Sequence, residues 1–245
     1  MEKNLKNFLY ELEAKGLKKG SGMVTTRIKP AKAPYGERYY IEGKGDQEFL
    51  KMNSNSYLGL SFHPKIIEAE EKGVREYGVG PGAVRFISGT YKPHTDLEKK
   101  LADFHNKEAG MLFSSAYVTS MGVLVPLITP QTIVISDELN HNCIINGIKL
   151  SKPAVKTIYK HNNVIDLENK ILENIDKGNR VLIVTDGIFS MRGVPAPLDK
   201  IKTICTKYNN KFRQGITLIV DDSHGVGTFG ETGRGTEEYT NTPVD

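Results

Sequence analysis

Cysteine is scarce in this chain of 245 residues, and long apolar runs are absent. Cys143 and Cys205 are not spaced as a CxxC pair, so the sequence indicates neither a zinc site nor a disulfide framework. No apolar run approaches membrane-spanning length, and the charged N-terminus lacks the apolar segment of a signal peptide. We therefore expect a cytoplasmic protein in a reducing compartment, with no membrane partner.

An excess of one charge is also missing. The 33 basic and 29 acidic residues leave a formal net charge of +4. This charge is too small and too evenly spread to predict a nucleic-acid partner. With 38% hydrophobic and 25% charged residues, the composition is that of an ordinary globular protein with a sizeable core.

Helical and strand patterns alternate from Pro64 onward. Helices are predicted at 64–77, 94–106, 117–126, 141–150, 164–177 and 198–210, and strands at 110–114, 132–136, 155–159, 180–185 and 216–221. This alternation indicates an α/β fold with a mainly parallel sheet flanked by helices. Residues 1–60 are predicted to form an N-terminal arm, with a short amphipathic helix and a small hairpin of 39–42 with 48–52.

Polar side chains follow several of the predicted strands. Asp221, Asp222 and His224 come directly after the apolar run 216–220, while His141 and Asp186 follow two other strands. In open α/β sheets, ligands bind at the carboxyl ends of strands. A carboxylate there can hold a positive charge on a cofactor ring, and a nearby His and Ser can hydrogen-bond its other polar atoms.

Other segments allow more than one interpretation. Ser114 or Ser115 is a suitable N-cap, and the helix start behind it offers N–H groups to an anion, although simple capping is the better explanation of this pattern taken alone. Residues 225–230 match GxGxxG, but the glycines that follow favour a loop near a cofactor over a dinucleotide site. The glycine cluster 78–85 fits either a helix-ending turn or a backbone-lined wall of a site.

A metal-dependent hydrolase is the main competing hypothesis. The side chains that could supply oxygen and nitrogen ligands are Asp137, Glu138, His141, Asp186, Asp221, Asp222 and His224. Nothing in their spacing singles out a metal site, so no metal is predicted.

A series of ordered motifs runs from about Asn53 to Tyr239. They are Asn55-Ser-Tyr-Leu-Gly-Leu60, Gly80-Pro-Gly-Ala-Val-Arg-Phe-Ile-Ser-Gly-Thr90, His94-Thr-Asp-Leu-Glu98, Phe113-Ser-Ser-Ala-Tyr117, Ser136-Asp-Glu-Leu-Asn-His141, Thr185-Asp-Gly-Ile-Phe-Ser-Met191, Val220-Asp-Asp-Ser-His-Gly225 and Gly230-Glu-Thr-Gly-Arg-Gly-Thr236. With them the chain resembles the α-oxoamine synthases, a branch of the fold-type I enzymes that use pyridoxal 5'-phosphate (PLP). Its nearest types are 2-amino-3-oxobutyrate CoA ligase and 8-amino-7-oxononanoate synthase.

The resemblance implies PLP as the cofactor and residues 61–245 as an incomplete PLP-binding large domain. The implied cofactor-binding residues are Ser115, Ala116, Tyr117, His141, Ser190, Asp221 and His224, with His141, Asp221 and His224 catalytic. Asp221 would pair with the pyridine nitrogen, which makes the ring an electron sink. His141 would stack on the ring, and His224 and Ser190 would hydrogen-bond the region of its phenolic oxygen. The backbone N–H groups of 116 and 117 would meet the phosphate.

The implied reaction condenses a small amino acid with an acyl-CoA. The prediction is glycine with acetyl-CoA, giving 2-amino-3-oxobutyrate, or an 8-amino-7-oxononanoate synthase-like reaction, which belongs to biotin biosynthesis. Asn55 and Arg27 would approach the substrates, and the site would lie at a homodimer interface. The alternative is a non-catalytic, truncated homologue that serves as a binding or partner subunit.

Three departures from the family pattern accompany this resemblance. Asn142-Cys143 follows His141, where the family usually carries a small Ala or Ser, and Arg192 stands where Asp is common. The family's Schiff-base lysine would follow the position of Asp245. That lysine and the C-terminal small domain are therefore expected to be absent from residues 1–245.

Overall fold

The structure, a computed structural model, describes residues 2–18, 20, 22–32 and 35–245. The chain divides into two units, residues 1–67 and 68–245. None of the helices within these described ranges combines the length and apolarity needed to cross a membrane.

The first unit contains an N-terminal helix and a small antiparallel sheet. Helix α1 spans Glu2–Ala14, strand β1 spans Thr25–Lys29 and strand β2 spans Arg38–Ile41. The predicted hairpin is wrong in its main pairing, because β2 pairs with β1 and segment 48–52 contributes only a bridge between Tyr39 and Phe49. β1 is the better partner because it is rich in β-branched residues and aligns along the length of β2.

The second unit is built on a parallel sheet. Strand β3 spans Thr132–Asp137, β4 Val155–Tyr159, β5 Arg180–Asp186 and β8 Ile216–Asp221, and they lie in the order β4-β3-β5-β8. All neighbouring pairs are parallel. A two-stranded antiparallel ribbon, β6 at Ile188–Phe189 and β7 at Val194–Pro195, follows β5. The predicted α/β fold with a parallel sheet is confirmed.

Further helices precede the parallel sheet or follow its strands along the chain. They are α2 at Pro64–Tyr77, α3 at Lys92–Phe104, α4 at Ala116–Leu127, α5 at Asn142–Leu150, α6 at Val164–Leu172, α7 at Leu198–Tyr208 and α8 at Thr236–Tyr239, with a π turn at Arg85–Gly89 and 3-10 turns at Leu60–Phe62 and Asn209–Lys211. Helix α6 ends earlier than the predicted residue 177. The Asn174 side chain donates to the carbonyl of Lys170 at 2.7 Å and so competes with the helical pattern.

Two apolar clusters cover the two faces of the sheet. Ile133 and Ile135 of β3 belong to a cluster with residues of α6 and α7. Val134, between them in sequence, belongs to the other cluster, with residues of α4 and α5. Successive side chains of a strand point to opposite faces, and burial of both faces explains why these strands are almost wholly apolar.

The predicted strand at 110–114 is wrong. These residues form no regular structure, and the described part of the chain places no strand beside them. A strand requires a partner for its backbone groups. Here the Leu112 N–H instead donates to the Glu98 carboxylate at 2.9 Å, so a side chain replaces the ladder.

Candidate functional site

Three of the four parallel strands end in aspartate at the same edge of the sheet. Asp137 ends β3, Asp186 ends β5 and Asp221 ends β8. The register places Asp186 directly beside Asp221. Because this is the edge where ligands of open α/β sheets bind, Asp186 and Asp221 mark the candidate site.

The Asp137 carboxylate is engaged by groups of the surrounding loops. Its carboxylate accepts the backbone N–H groups of Leu139 at 2.9 Å and Asn162 at 3.0 Å. Its Oδ1 also lies 3.1 Å from Nδ1 of His161. The side chain is fully buried among these partners, so it fixes the loops around the site and does not face a ligand.

Asp221 is held by hydroxyl groups on both of its oxygens. The Ser223 hydroxyl donates to Oδ1 at 2.6 Å and the Ser223 backbone N–H donates to the same oxygen at 3.2 Å. The hydroxyl of Ser120, on helix α4, donates to Oδ2 at 3.2 Å. Within the described ranges, the hydrogen-bond partners of Asp186 and Asp221 are neutral groups. The carboxylates of Asp186 and Asp221 therefore have no cationic hydrogen-bond partner within those ranges.

The ionised form of the Asp186 carboxyl is destabilised, and a nearby cation would reduce this destabilisation. Burial, followed by the neighbouring charge of Asp221, raises the pKa of Asp186 to about 7. The backbone N–H of His141 donates to its Oδ2 at 3.1 Å and opposes this shift. A positive charge beside the two carboxylates would favour their ionised forms.

His141 caps the first turn of α5, which places its exposed ring at the same edge. Its Nδ1 accepts the Cys143 backbone N–H at 3.3 Å and lies 2.9 Å from the Cys143 sulfur. The buried Cys143 sulfur also lies 3.3 Å from the Ser120 hydroxyl and 3.8 Å from Oδ2 of Asp221. Burial raises the pKa of the Cys143 thiol, so it stays protonated at neutral pH.

The start of helix α4 offers an anion site. Ser115 is the N-cap, and its side chain accepts the Val118 N–H at 3.2 Å, while its carbonyl accepts the Thr119 N–H. The first N–H groups of a helix have no intrahelical acceptor. The N–H groups of Val118 and Thr119 are satisfied, but those of Ala116 and Tyr117 have no acceptor among the described residues. They could therefore bind a ligand, and the helix dipole favours a negative one.

A cavity of about 390 Å³ connects these features. It is lined by Ala116, Thr119 and Ser120 of α4, by Val184 of β5 and by the end of β8 from Ile219 to Ser223, together with other apolar side chains. Its size lies within the range of small-molecule sites. It therefore touches both the start of helix α4 and the Asp221 carboxylate.

Asp222, next to Asp221, has a structural role. Its Oδ2 accepts the Thr236 N–H at 2.7 Å and its Oδ1 accepts the Thr236 hydroxyl. A Cβ atom on Gly187 or Gly225 would overlap Oδ1 of Asp222. The glycines at these points are thus required by close packing around Asp222.

Ser190 and His224, two further predicted cofactor residues, lie in turns, whereas Tyr117 lies in the first turn of α4. Ser190 is exposed in the turn between β6 and β7. Arg192 lies two residues further along this turn, and Gly193 in the same turn has a φ of 65°. His224 is half-buried in the turn after β8. The Tyr117 hydroxyl accepts from the Asn146 side chain at 2.8 Å.

The two predicted substrate residues belong to the first unit. The Arg27 guanidinium lies 3.8 Å from the centre of the Tyr40 ring and its Nη2 lies 3.3 Å from Asp46. Asn55 is exposed in a bend. Their roles stay predictions.

The metal hypothesis finds no support in this geometry. Within the ranges that the structure covers, no group of three or more His, Cys, Asp or Glu side chains could hold a metal ion. Asp137 and Asp222, two of its proposed ligands, are instead engaged by backbone and hydroxyl donors.

Comparison with known proteins gives the class of the fold. The structure superposes on a lysine-to-alanine variant of serine palmitoyltransferase from S. paucimobilis, solved with a bound PLP-myriocin aldimine, at a TM-score of 0.81 and 26% identity, covering 96% of this chain and 55% of that one. The fold is therefore the large domain of the fold-type I PLP-dependent transferases, and the predicted fold class is confirmed.

The chain belongs to the aminotransferase class I and II family, which matches residues 47–242. It is 46% identical over 193 residues to 8-amino-7-oxononanoate synthase 1 of Bacillus subtilis (strain 168), covering 79% of this chain and 47% of that protein. It is 39% identical over 237 residues to the 8-amino-7-oxononanoate synthase of Thermoanaerobacter pseudethanolicus, covering 97% and 56%. The chain thus spans about half the length of these relatives. The prediction of a PLP-dependent family is confirmed.

The residues present fit PLP. That molecule carries an anionic phosphate and a ring nitrogen that can be protonated. The start of α4 offers the N–H groups of Ala116 and Tyr117 to an anion, and the neighbouring carboxylates of Asp186 and Asp221 at the sheet edge would attract a cation. Of these residues, Ala116 and Asp221 line the cavity. Both requirements are met by side chains and backbone groups of one unit.

Ser120 is a site residue that the sequence did not single out, and Cys143, which was named only as a departure from the family pattern, is another. Ser120 lies four residues after Ala116, so one helical turn places it on the face that begins at the anion site. That spacing was a usable signal. The contact of Cys143 with Ser120 joins residues of two helices and depends on how α4 packs on α5.

Proposed function

We propose that this chain is the PLP-binding part of an acyltransferase that joins an amino acid to an acyl-CoA, of the 8-amino-7-oxononanoate synthase type. Residues 61–245 form part of the large domain, and residues 1–60 form an N-terminal arm. The observation that carries the proposal is a single cavity that touches a helix start suited to a phosphate and the carboxylate Asp221. The identity to relatives named as synthases supports it.

The residues of the candidate site have defined tasks in this proposal. The N–H groups of Ala116 and Tyr117 bind the phosphate, with Ser115 fixing the helix start. Asp221 accepts a hydrogen bond from the protonated pyridine nitrogen and keeps the proton there. His141, exposed at the start of α5, stacks on the ring and orients the amino acid.

When bound, PLP supplies an electron sink for the negative charge that develops at Cα of the amino acid. The hydroxyl groups of Ser120 and Ser223 hold the two oxygens of Asp221, so the carboxylate keeps one orientation throughout. Ser190 and His224 hydrogen-bond the region of the phenolic oxygen, and Asn55 and Arg27 contact the substrates, as the family resemblance implies.

The proposed substrates follow from the chemical structure of 8-amino-7-oxononanoate, the product after which the relatives are named. In 8-amino-7-oxononanoate the amino carbon bears a methyl group, and the keto carbon continues a chain that ends in a carboxylate. Alanine and a dicarboxylic acyl-CoA give this product when a bond forms between Cα and the acyl carbon, CO2 leaves Cα and the CoA thiol leaves the acyl carbon. The relatives favour this pair over glycine with acetyl-CoA.

A substrate competition tests the choice. The complete protein, loaded with PLP, is supplied with alanine and glycine together and with heptanedioyl-CoA and acetyl-CoA together, and the products are identified by mass spectrometry. We expect a dominant product from alanine and heptanedioyl-CoA, with CO2 and free CoA in equal amounts. A product from glycine and acetyl-CoA would replace the proposed substrates. The absence of every condensation product would favour the non-catalytic alternative.

The assembly proposed for the complete protein is a homodimer with the site at its interface. Sedimentation measures it directly. A dimeric mass at micromolar concentration is the expected result, whereas a stable monomer with full activity would contradict the proposal.

A further inference from the structure

The two carboxylates of the candidate site lie side by side but in different surroundings. Asp186 and Asp221 are partners in the parallel register of β5 and β8, so their side chains leave the sheet on the same face. Asp186 is buried, whereas Asp221 is half-buried and lines the cavity. Two like charges that share a site disfavour each other, so such a pair tends to hold one proton.

The hydrogen-bond donors around the pair favour a charge on Asp221. The Ser223 hydroxyl and backbone N–H donate to its Oδ1 at 2.6 Å and 3.2 Å, and the Ser120 hydroxyl lies 3.2 Å from its Oδ2. Among the described residues, the donor to Asp186 is the backbone N–H of His141, at 3.1 Å from Oδ2. Hydrogen bonds to a carboxylate stabilise its ionised form. The more exposed and better supplied Asp221 is therefore the member of the pair that keeps its charge.

The groups packed around Asp186 favour its protonated form. Burial, then the carboxylate of Asp221 on β8 and that of Asp137 on β3, raise the pKa of Asp186 to about 7. At the start of α5 the His141 N–H opposes this shift. The Cys143 thiol, also on α5, adds no positive charge, because burial raises its pKa and it stays protonated at neutral pH.

We propose that Asp186 is a positioning residue that holds the single proton of the Asp186–Asp221 pair in the chain without PLP. The inference rests on the proposed function for its catalytic meaning, because a charged Asp221 is the form that accepts a hydrogen bond from a protonated pyridine nitrogen. A positive charge beside Asp221 then favours ionisation of the second carboxyl as well. The O–H bond of Asp186 breaks, and its proton passes to water.

The competing explanation is that Asp186 serves only as the acceptor for the His141 N–H. Asp186→Asn separates the two roles, because its amide oxygen can still accept that N–H while the amide does not titrate. Asp199→Asn makes the same change at an exposed position in the first turn of α7 and is the matched control.

The first test is ¹³C NMR of the chain without PLP, labelled at the aspartate carboxyl carbons and titrated with pH. We expect a carboxyl with a pKa of about 7 whose signal is lost in Asp186→Asn and kept in Asp199→Asn. In Asp221→Asn this signal should remain but titrate at lower pH, because the neighbouring charge is gone.

Two NMR results would overturn the proposal. In one, the Asp186 carboxyl titrates near its ordinary pKa of 3.8. In the other, the signal that titrates near neutral pH is lost in Asp221→Asn, which places the proton on Asp221. The second result needs only the Asp221→Asn variant, so the test stands even where Asp186→Asn does not fold.

The pH dependence of PLP binding is a second readout, which an acceptor role alone would not change. The affinity of the wild type is divided by that of Asp186→Asn at each pH, so that the ionisation of PLP itself cancels. Because the wild type releases the Asp186 proton on binding, we expect this ratio to rise by up to about tenfold per pH unit below pH 7 and to level off above it.

The two readouts also separate this inference from the proposed function. A ratio that stays constant with pH, in a wild type that binds PLP, would overturn the role of Asp186. If the wild type does not bind PLP at any pH, the proposed function fails, and the NMR titration still decides which carboxyl holds the proton.

Discussion

At the scale of single residues, Asp222 shows how a carboxylate beside the site is kept out of it. Thr236 is fully buried and donates to Asp222 through both its backbone and its hydroxyl. Replacing Thr236 by valine keeps the shape but leaves one carboxylate oxygen without its hydroxyl donor. We expect a loss of about 1–3 kcal/mol in the free energy of unfolding, measured in urea.

The control for that variant is Thr206→Val. Thr206 is exposed on α7, and its hydroxyl donates to the carbonyl of Lys202 within the same helix. A loss in Thr236→Val no larger than in Thr206→Val would show that the contact with Asp222 does not stabilise the fold.

Asp186 predicts a pH dependence of stability in the chain without PLP. Its pKa rises from 3.8 to about 7 in the folded chain, mainly through burial. A carboxyl whose pKa is raised on folding holds its proton more tightly in the folded state, so its ionisation lowers stability as the pH increases from about 4 to 7. Above pH 7 the penalty is complete.

The variant Asp186→Asn removes this titration and can still accept the His141 N–H. We expect its free energy of unfolding, relative to the wild type, to increase steadily between pH 4 and pH 7 and to stay constant above. A constant difference across this range would contradict the raised pKa of Asp186.

At the scale of elements, the start of α4 combines capping with ligand binding. Ser115→Ala removes the acceptor for the Val118 N–H and should cost about 1 kcal/mol in stability. Ser114→Ala, one residue earlier and outside the cap, is the matched control. Equal losses in the two variants, measured by thermal unfolding, would contradict the assignment of Ser115 as the N-cap.

Sequence periodicity predicted the elements whose formation is reflected in the local pattern of apolar residues. The near-continuous apolar strands arise because both faces of the sheet are covered, and the alternation of Ile133, Val134 and Ile135 between two clusters shows this directly. The strand predicted at 110–114 failed because strand formation depends on a partner elsewhere, which a local pattern does not reveal. The pairing of β2 with β1 was missed for the same reason.

Some features of the candidate site were likewise predictable from the sequence, and others were not. That Asp221 and the start of α5 share one edge was predictable, since parallel strands end together. The contact of Cys143 with Ser120 joins residues 23 positions apart on two helices, and no sequence pattern specifies it. Likewise, the commitment of Asp222 to Thr236 depends on the return of the chain from the turn that follows β8.

At the scale of the whole molecule, ligand binding and folding are coupled, because the cavity is assembled from α4, β5 and β8 and exists only when the second unit is folded. A ligand that binds only the folded state stabilises it by RT ln(1 + [L]/Kd). At a concentration of one hundred times its Kd, PLP should therefore raise the free energy of unfolding by about 2.7 kcal/mol.

The variant Asp221→Asn tests whether this stabilisation depends on the carboxylate. A hydrogen bond to a charged group contributes about 1.5–3 kcal/mol, so we expect PLP to bind at least about tenfold more weakly. At the same PLP concentration the gain then falls to about 1.4 kcal/mol or less. Asp199→Asn makes the same charge change at an exposed position in the first turn of α7 and should keep the full gain. If Asp221→Asn is stabilised as much as Asp199→Asn, the proposed pairing of Asp221 with the pyridine nitrogen is wrong.

Free pyridoxal, which lacks the phosphate, tests the proposed phosphate site at the start of α4. We expect it to stabilise the wild type less than PLP does, and the difference measures the contribution of the N–H groups of Ala116 and Tyr117.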